Sequence, residues 1–269
     1  MAGAQAARNS AGTRGAGARL SIRLLGGFRL VKDEHPLLLR PGGKAETLLV
    51  NLALRLRGGI EREELLGLLW PTSDEALAAQ SLHTLVHELR VAVGDALGGA
   101  PPVVRRDGRL CLNLEDGISV DIEEFEARAA QGDSLRRAGD DRAALPCYEQ
   151  AADLYGGDLV IGSELRHLLE RERLRARYLE VLGRLAENRF QQGDFTGARD
   201  RALELLGSDP CREDAHRMVM RCCVRLGQRA QALRQYQTCE RILEREFGAR
   251  PEPATAELYD LVRSDPRAV

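Results

Sequence analysis

The sequence predicts a mainly α protein in two unlike parts, a small α+β unit followed by an all-α unit of helical pairs. Two observations carry that expectation. Residues 20–116 mix short alternating apolar runs with three helical periods and a hairpin signal, whereas from Asp121 onward only helical periods occur. In the second part a G-x-x-x-x-A pattern recurs 34 residues apart, from Gly193 to Gly227 and from Ala198 to Ala232.

The strands come first. Leu20, Ile22 and Leu24 alternate, Gly26-Gly27 breaks the run, and Phe28 and Leu30 resume it. Asp33-Glu34 marks a turn before Leu37-Leu38-Leu39. A helix follows, with Ala45, Leu48, Leu49, Leu52, Ala53 and Leu56 on one face and Gly58-Gly59 as its stop. A second short helix spans Arg62 to Trp70, and Pro71 ends it. Trp70, at that helix end, reads as core.

The third helix is the informative one. Thr72 and Glu75 have capping-box spacing, so the helix is expected to run from near Ser73 to about Ala96. Leu82, Leu85, Val86, Leu89 and Val93 fall on one face. Gln80, His83, His87 and Arg90 fall on another, with Thr84 beside them and Glu88 to one side. After Pro101-Pro102, two alternating runs flank Asp107-Gly108, a pair that favours a type I′ hairpin turn. Arg105, Arg106 and Arg109 make its tip basic.

Strands, three helices and a hairpin, in that order, match a winged helix-turn-helix, which lays its third helix in the DNA major groove and rests its hairpin on the neighbouring backbone. The candidate DNA-binding residues are therefore His83, Thr84, His87 and Arg90 on the helix, Arg105, Arg106 and Arg109 on the hairpin, and Lys44 at the start of the first helix. Arg90 can donate two hydrogen bonds to guanine or grip a phosphate. Thr84 can meet a thymine methyl or a phosphate, or bond its own helix. The hairpin arginines can hold a phosphate backbone or simply keep a turn soluble. His83 and His87 at i and i+4 have no third ligand in view, so no metal is expected.

A 34-residue period of helical pairs is the tetratricopeptide signature. The glycine makes the turn inside each pair and the alanine lets its helices approach. Gly139 and Ala144 give a further copy out of strict register, and Asp209-Pro210 ends a unit. The expected layout is a disordered tail over 1–19, a winged helix-turn-helix over 20–116 and a tetratricopeptide-like domain over 117–264.

Composition narrows the function classes. Of 269 residues, 43% are hydrophobic and 30% charged, as in globular proteins with room for more than one core. No apolar run approaches the ~18 residues of a membrane helix, and no apolar signal segment opens the chain, so the expected location is the cytoplasm. A net charge of −2 excludes a histone-like protein but not one with a local basic patch. Aromatics at 4% argue against stacking on single strands. The six cysteines form no C-x-x-C pair and read as small apolar core residues. No nucleophile–base pattern, paired carboxylates or phosphate loop is present; Gly42-Gly43-Lys44-Ala45 lacks the spacing and hydroxyl of a P-loop. Neither an enzyme nor a cofactor is expected.

Three segments, RLSIRLLGGFRLV, ELLGLLWPTSDEA and SLHTLVHELR, resemble the DNA-binding domain of SARP-type transcriptional activators. The stretch from ENRFQQGDFTGARDRALELLGSDPCREDAHRMVM through RCCVRLGQRAQALRQYQTCERILEREFGARPEPATAELYDLVR resembles the bacterial transcriptional activator domain that follows it in that family. The resemblance spans roughly residues 20–262. It implies an activator that binds direct repeats in double-stranded promoter DNA as a homodimer and recruits RNA polymerase, commonly at secondary-metabolite genes, and it implies one of the short members without an NTPase module. Many such proteins close the third helix with several arginines, where this chain has His87-Glu88-Leu89-Arg90-Val91. Residues 20–115 carry 12 basic and 12 acidic side chains, which predicts weak non-specific DNA binding. The same neutrality leaves a second expectation, a tetratricopeptide interaction adaptor whose winged helix serves docking or dimerisation.

Overall fold

The computed structural model describes residues 20–33, 35–40, 42–160 and 165–269. The tail expected over 1–19 lies outside them. The chain divides into two compact units, Met1–Glu124 with Gly156–Ser163, and Phe125–Tyr155 with Glu164–Val269.

The first unit opens with β1 (Leu20–Arg23), β2 (Arg29–Lys32) and β3 (His35–Leu37). β1 and β2 pair antiparallel with Ile22 opposite Leu30. A strand that the sequence alone does not reveal, β6 (Ile118–Val120), runs parallel to β1 with Ile22 opposite Val120. Three residues are too few to show a period of two. The sheet order is β3-β2-β1-β6. Leu20, Ile22, Leu30 and Val120 bury one side of it.

Helix α1 (Lys44–Ala53) ends short of the Leu56 and Gly58-Gly59 that the apolar period predicts. The chain turns instead, with the Gly59 amide donating to the Arg55 carbonyl at 2.9 Å. Gly59 has φ +59, and a Cβ there would lie 2.5 Å from Cys111 Sγ. Its glycine therefore serves a close approach to the hairpin rather than a helix stop. Ile60 and Leu110 then exchange backbone hydrogen bonds of 2.9 and 2.8 Å, adding a bridge beside β4 (Val103–Arg106) and β5 (Arg109–Leu112). Asp107 and Gly108 between those strands both have positive φ, 48° and 82°, as a type I′ turn requires.

Helix α2 (Arg62–Leu69) leads through Pro71 to α3 (Glu75–Val93). The N-cap of α3 is Asp74, whose Oδ1 accepts from the Ala76 amide at 2.9 Å; the expected Thr72–Glu75 box does not form. Asp74, one residue before the helix, supplies a charged acceptor at the N-cap itself. The helix passes into a 3₁₀ turn, Gly94–Leu97, before the expected Ala96.

The second unit is all helix. It takes α4 (Asp121–Arg137, whose first turn belongs to the first unit), α5 (Asp141–Leu154), α6 (Leu165–Gln191), α7 (Phe195–Ser208), α8 (Glu213–Arg225), α9 (Arg229–Phe247) and α10 (Pro253–Ser264). Gly139, Gly193 and Gly227 sit in the turns α4–α5, α6–α7 and α8–α9 with φ of 81°, 82° and 73°. Ala144, Ala198 and Ala232 have no exposed surface. The repeat expected from spacing is thus a repeat of structure, and the all-α unit is tetratricopeptide-like. Between the first copy and the second, residues 156–160 belong with the first unit, where Leu159 bridges Leu25 and the Gly26 amide donates to the Asp158 carbonyl at 3.2 Å.

Arginines tie the helical pairs together. Arg175 donates to the carbonyl of Ser208 at the end of α7, and Arg229 to the carbonyls of Val262 and Arg263 at the end of α10. A cation at a helix C-terminus meets carbonyls that lack an intrahelical partner. The alternating run Glu170-Arg171-Glu172-Arg173 includes the pair Arg173–Glu170, and Arg173 also bonds Glu126 on α4.

Candidate nucleic-acid interface

Helix α3 is held by one side only. Leu82, Leu89 and Val93 are buried in the first unit, with Ala78. His83, Thr84, His87 and Arg90 are all exposed. Leu85 and Val86 are only half buried, at the margins of the packed face.

The exposed groups differ in what they have left to offer. His83 and His87 have no hydrogen-bond partner among the described residues, and Gln80 keeps its side-chain amide free among them. Thr84 Oγ1 donates to the Gln80 carbonyl at 3.2 Å. Arg90 Nη2 donates to the Gly99 carbonyl at 2.7 Å. Glu88 is exposed as well.

On the hairpin, Arg105 Nε donates to the Gly108 carbonyl at 3.3 Å, which leaves both its terminal amines unpaired among the described residues. Arg106 pairs with Glu115 at 3.0 Å. Arg109 reaches across to the N-terminus of α2, bonding Glu61 at 2.7 Å and the Gly58 carbonyl at 3.2 Å. Lys44 bonds the carbonyl of Leu69 at the end of α2, so its ammonium holds α1 to α2. The eight predicted residues thus fall into an α3 group, a hairpin group and a lysine whose ammonium is spent between α1 and α2.

Sequence reasoning passed over Arg57. It is exposed in the turn after α1, pairs with nothing among the described residues, and lines a cleft of about 270 Å³ with Arg106, Asp107 and Arg109. The signal was present in Arg55-Leu56-Arg57 beside the glycine pair. Leu77 and Val91 on the outer face of α3 were also passed over; both are largely exposed.

Perturbed titration lies away from this face. Burial raises Asp121, whose Oδ2 accepts from the amides of Leu24 and Leu25 at 2.8 Å each. Burial pushes the Cys222 and Cys239 thiols up to about 12, which keeps them protonated. Cys147 and Cys223 are buried too, whereas Cys111 and Cys211 are partly exposed. Among the described residues no three His, Cys, Asp or Glu side chains converge on a metal-sized site. No described helix is long and apolar enough to cross a membrane.

Residues 120–263 match the family model of the bacterial transcriptional activator domain. The chain belongs to that family. Among the curated proteins that align with it are two Streptomyces regulatory proteins of the SARP family. The regulatory protein AfsR of Streptomyces coelicolor is 26% identical over 249 residues, which are 92% of this chain and 24% of AfsR. The regulatory protein DnrI of Streptomyces peucetius is 26% identical over 224 residues, 80% of this chain and 82% of DnrI. The SARP-family chain therefore spans about a quarter of the AfsR length and most of DnrI. Its fold is that of Mycobacterium tuberculosis EmbR, solved in complex with a low-affinity phosphopeptide, with a TM-score of 0.71, 19% identity and coverage of 91% of this chain and 65% of that one. Both of these curated relatives are regulatory proteins.

Proposed function

We propose that this chain is a transcriptional regulator that binds double-stranded promoter DNA sequence-specifically, with residues 20–116 as the DNA-binding domain and residues 117–264 as the module that recruits RNA polymerase. The observation that carries the reading is the one-sided packing of α3: its leucines hold the unit while His83, Thr84, His87 and Arg90 stay exposed. A helix so placed can enter the major groove, about 12 Å wide, without unfolding anything. Arg105, with two free amines, and Arg57 supply backbone contacts beside it. The family resemblance supports a homodimer on direct repeats and control of secondary-metabolite genes. The test is footprinting on promoter duplexes with RNA polymerase present. A protected direct repeat that extends into polymerase protection supports the reading; no protection at low salt removes it.

One set of observations favours the adaptor instead. Arg106, Arg109, Lys44 and Arg90 all have partners within the unit, and residues 20–115 are charge-neutral. An adaptor gives no duplex binding at micromolar protein and low salt, yet still pulls down a protein partner.

A further inference from the structure

The outer ridge of α3 is not the ridge of a guanine reader. Leu77, Thr84 and Val91 follow at steps of seven residues, which returns each to within about 20° of the last on an α-helix. Leu77 is 62% exposed and Val91 66%, unusual for apolar side chains of this size on a helix that has leucines to spare for its core. Thr84 belongs to the same line. Its hydroxyl is committed to the Gln80 carbonyl at 3.2 Å, so what it presents outward is its methyl group. Beside this line stands Gln80, exposed and with a free amide. The single arginine of the helix, Arg90, lies toward the edge of the outer face and has one amine tied to Gly99.

Major-groove chemistry sorts these groups. The thymine C5-methyl is the apolar feature of that groove, and a glutamine amide matches the N6 and N7 edge of adenine. Guanine calls for a free, forward arginine or lysine, and α3 has no lysine and no such arginine. Recognition helices meet base edges with their N-terminal part, which here is the half holding Leu77, Gln80 and Thr84.

We infer that α3 specifies its operator through thymine methyl groups met by Leu77 and the Thr84 methyl, with Gln80 on a neighbouring adenine. This rests on the reading of α3 as the groove helix. Arg90 and the hairpin arginines then position the domain on phosphate and carry little sequence information.

The full chain is used to select duplexes from a random library, and the selected duplex is resynthesised with deoxyuridine for thymine, which removes only the methyl groups. Affinity is expected to fall about fourfold for each contacted methyl, the equivalent of one buried CH₂-sized group. Thr84→Ser keeps the hydroxyl bond and deletes the side-chain methyl. It is expected to bind the thymine duplex about fourfold more weakly and to lose discrimination at one thymine, while its melting temperature stays close to the parent. Equal binding of thymine and deoxyuridine duplexes by the parent chain overturns the inference and leaves sequence-specific binding standing. A library that never enriches overturns the inference and the DNA-binding reading together. Leu77→Ala that binds the duplex as the parent does but dissociates a dimer in sedimentation also overturns it, because the ridge is then a protein interface.

Discussion

Arg90 Nη2 donates to the Gly99 carbonyl at 2.7 Å, across the 3₁₀ turn that closes α3. The bond ties the end of the helix to the segment that leads into the hairpin, so one side chain links the two parts of the unit proposed to touch DNA. Arg90→Ala is expected to lower stability by roughly 0.5–1 kcal/mol, the range of an exposed charge-assisted hydrogen bond. A shift of the urea midpoint checks this. An unchanged midpoint contradicts a formed bond.

Lys44 and Arg105 make opposite predictions about salt. Lys44 spends its ammonium on the Leu69 carbonyl, whereas Arg105 keeps two amines free. Lys44→Met is expected to leave the slope of log affinity against log salt unchanged. Arg105→Ala reduces that slope by about one, as the loss of one phosphate contact requires. Anisotropy titrations between low and moderate salt read both.

His216 on α8 is buried with both ring nitrogens occupied, Nε2 by the Pro210 carbonyl at 2.9 Å and Nδ1 by Gln235 Nε2 at 2.7 Å. Gln235 Nε2 can only donate, so Nδ1 accepts and the ring is neutral. Burial lowers its pKa below the ordinary value of 6.5. The unfolded chain then takes up a proton at His216 before the folded one does. Stability from this site is full above about pH 6.5 and drains away as the pH falls below it. Urea unfolding at a series of pH values is expected to show the decline, and His216→Gln to lack that part of it. A His216→Gln profile parallel to the parent contradicts the buried neutral ring.

Gly59→Ala meets two obstacles, a φ of +59° and a Cβ that would stand 2.5 Å from Cys111 Sγ and 2.8 Å from the Leu110 carbonyl. The expected cost is about 2 kcal/mol or more, because the Ile60–Leu110 bridge has to shift. Thermal unfolding measures it. A drop of under about 1 kcal/mol means that the hairpin yields.

The fold was legible where residues act through periodicity. The 34-residue step placed Gly193, Gly227, Ala198 and Ala232 in the turns and buried seams that they occupy, because a glycine at positive φ and an alanine at a close crossing act locally. The Asp107-Gly108 turn is legible for the same reason. Long-range pairing was not. β6 is too short to alternate, and nothing around Leu159 announces that it pairs with Leu25. In the candidate interface, exposure of the α3 stripe follows from its spacing. What its side chains have left to donate does not, since Lys44–Leu69, Arg109–Glu61 and Arg90–Gly99 bring together residues far apart or in turns. Arg57 and Leu77 were passed over because a basic turn and a lone exposed leucine look ordinary until their neighbours are known.

The central claim, that the exposed side of α3 reads a DNA sequence, is tested most directly by duplex selection with the full chain beside a His87→Ala, Thr84→Ala variant. Both side chains are exposed and outside the core, so the variant is expected to melt with the parent. The account predicts that the parent enriches one motif, arranged as a direct repeat, and that the variant enriches a different or degenerate one. Recovery of the same motif by both, or of none by the parent at low salt, would contradict it.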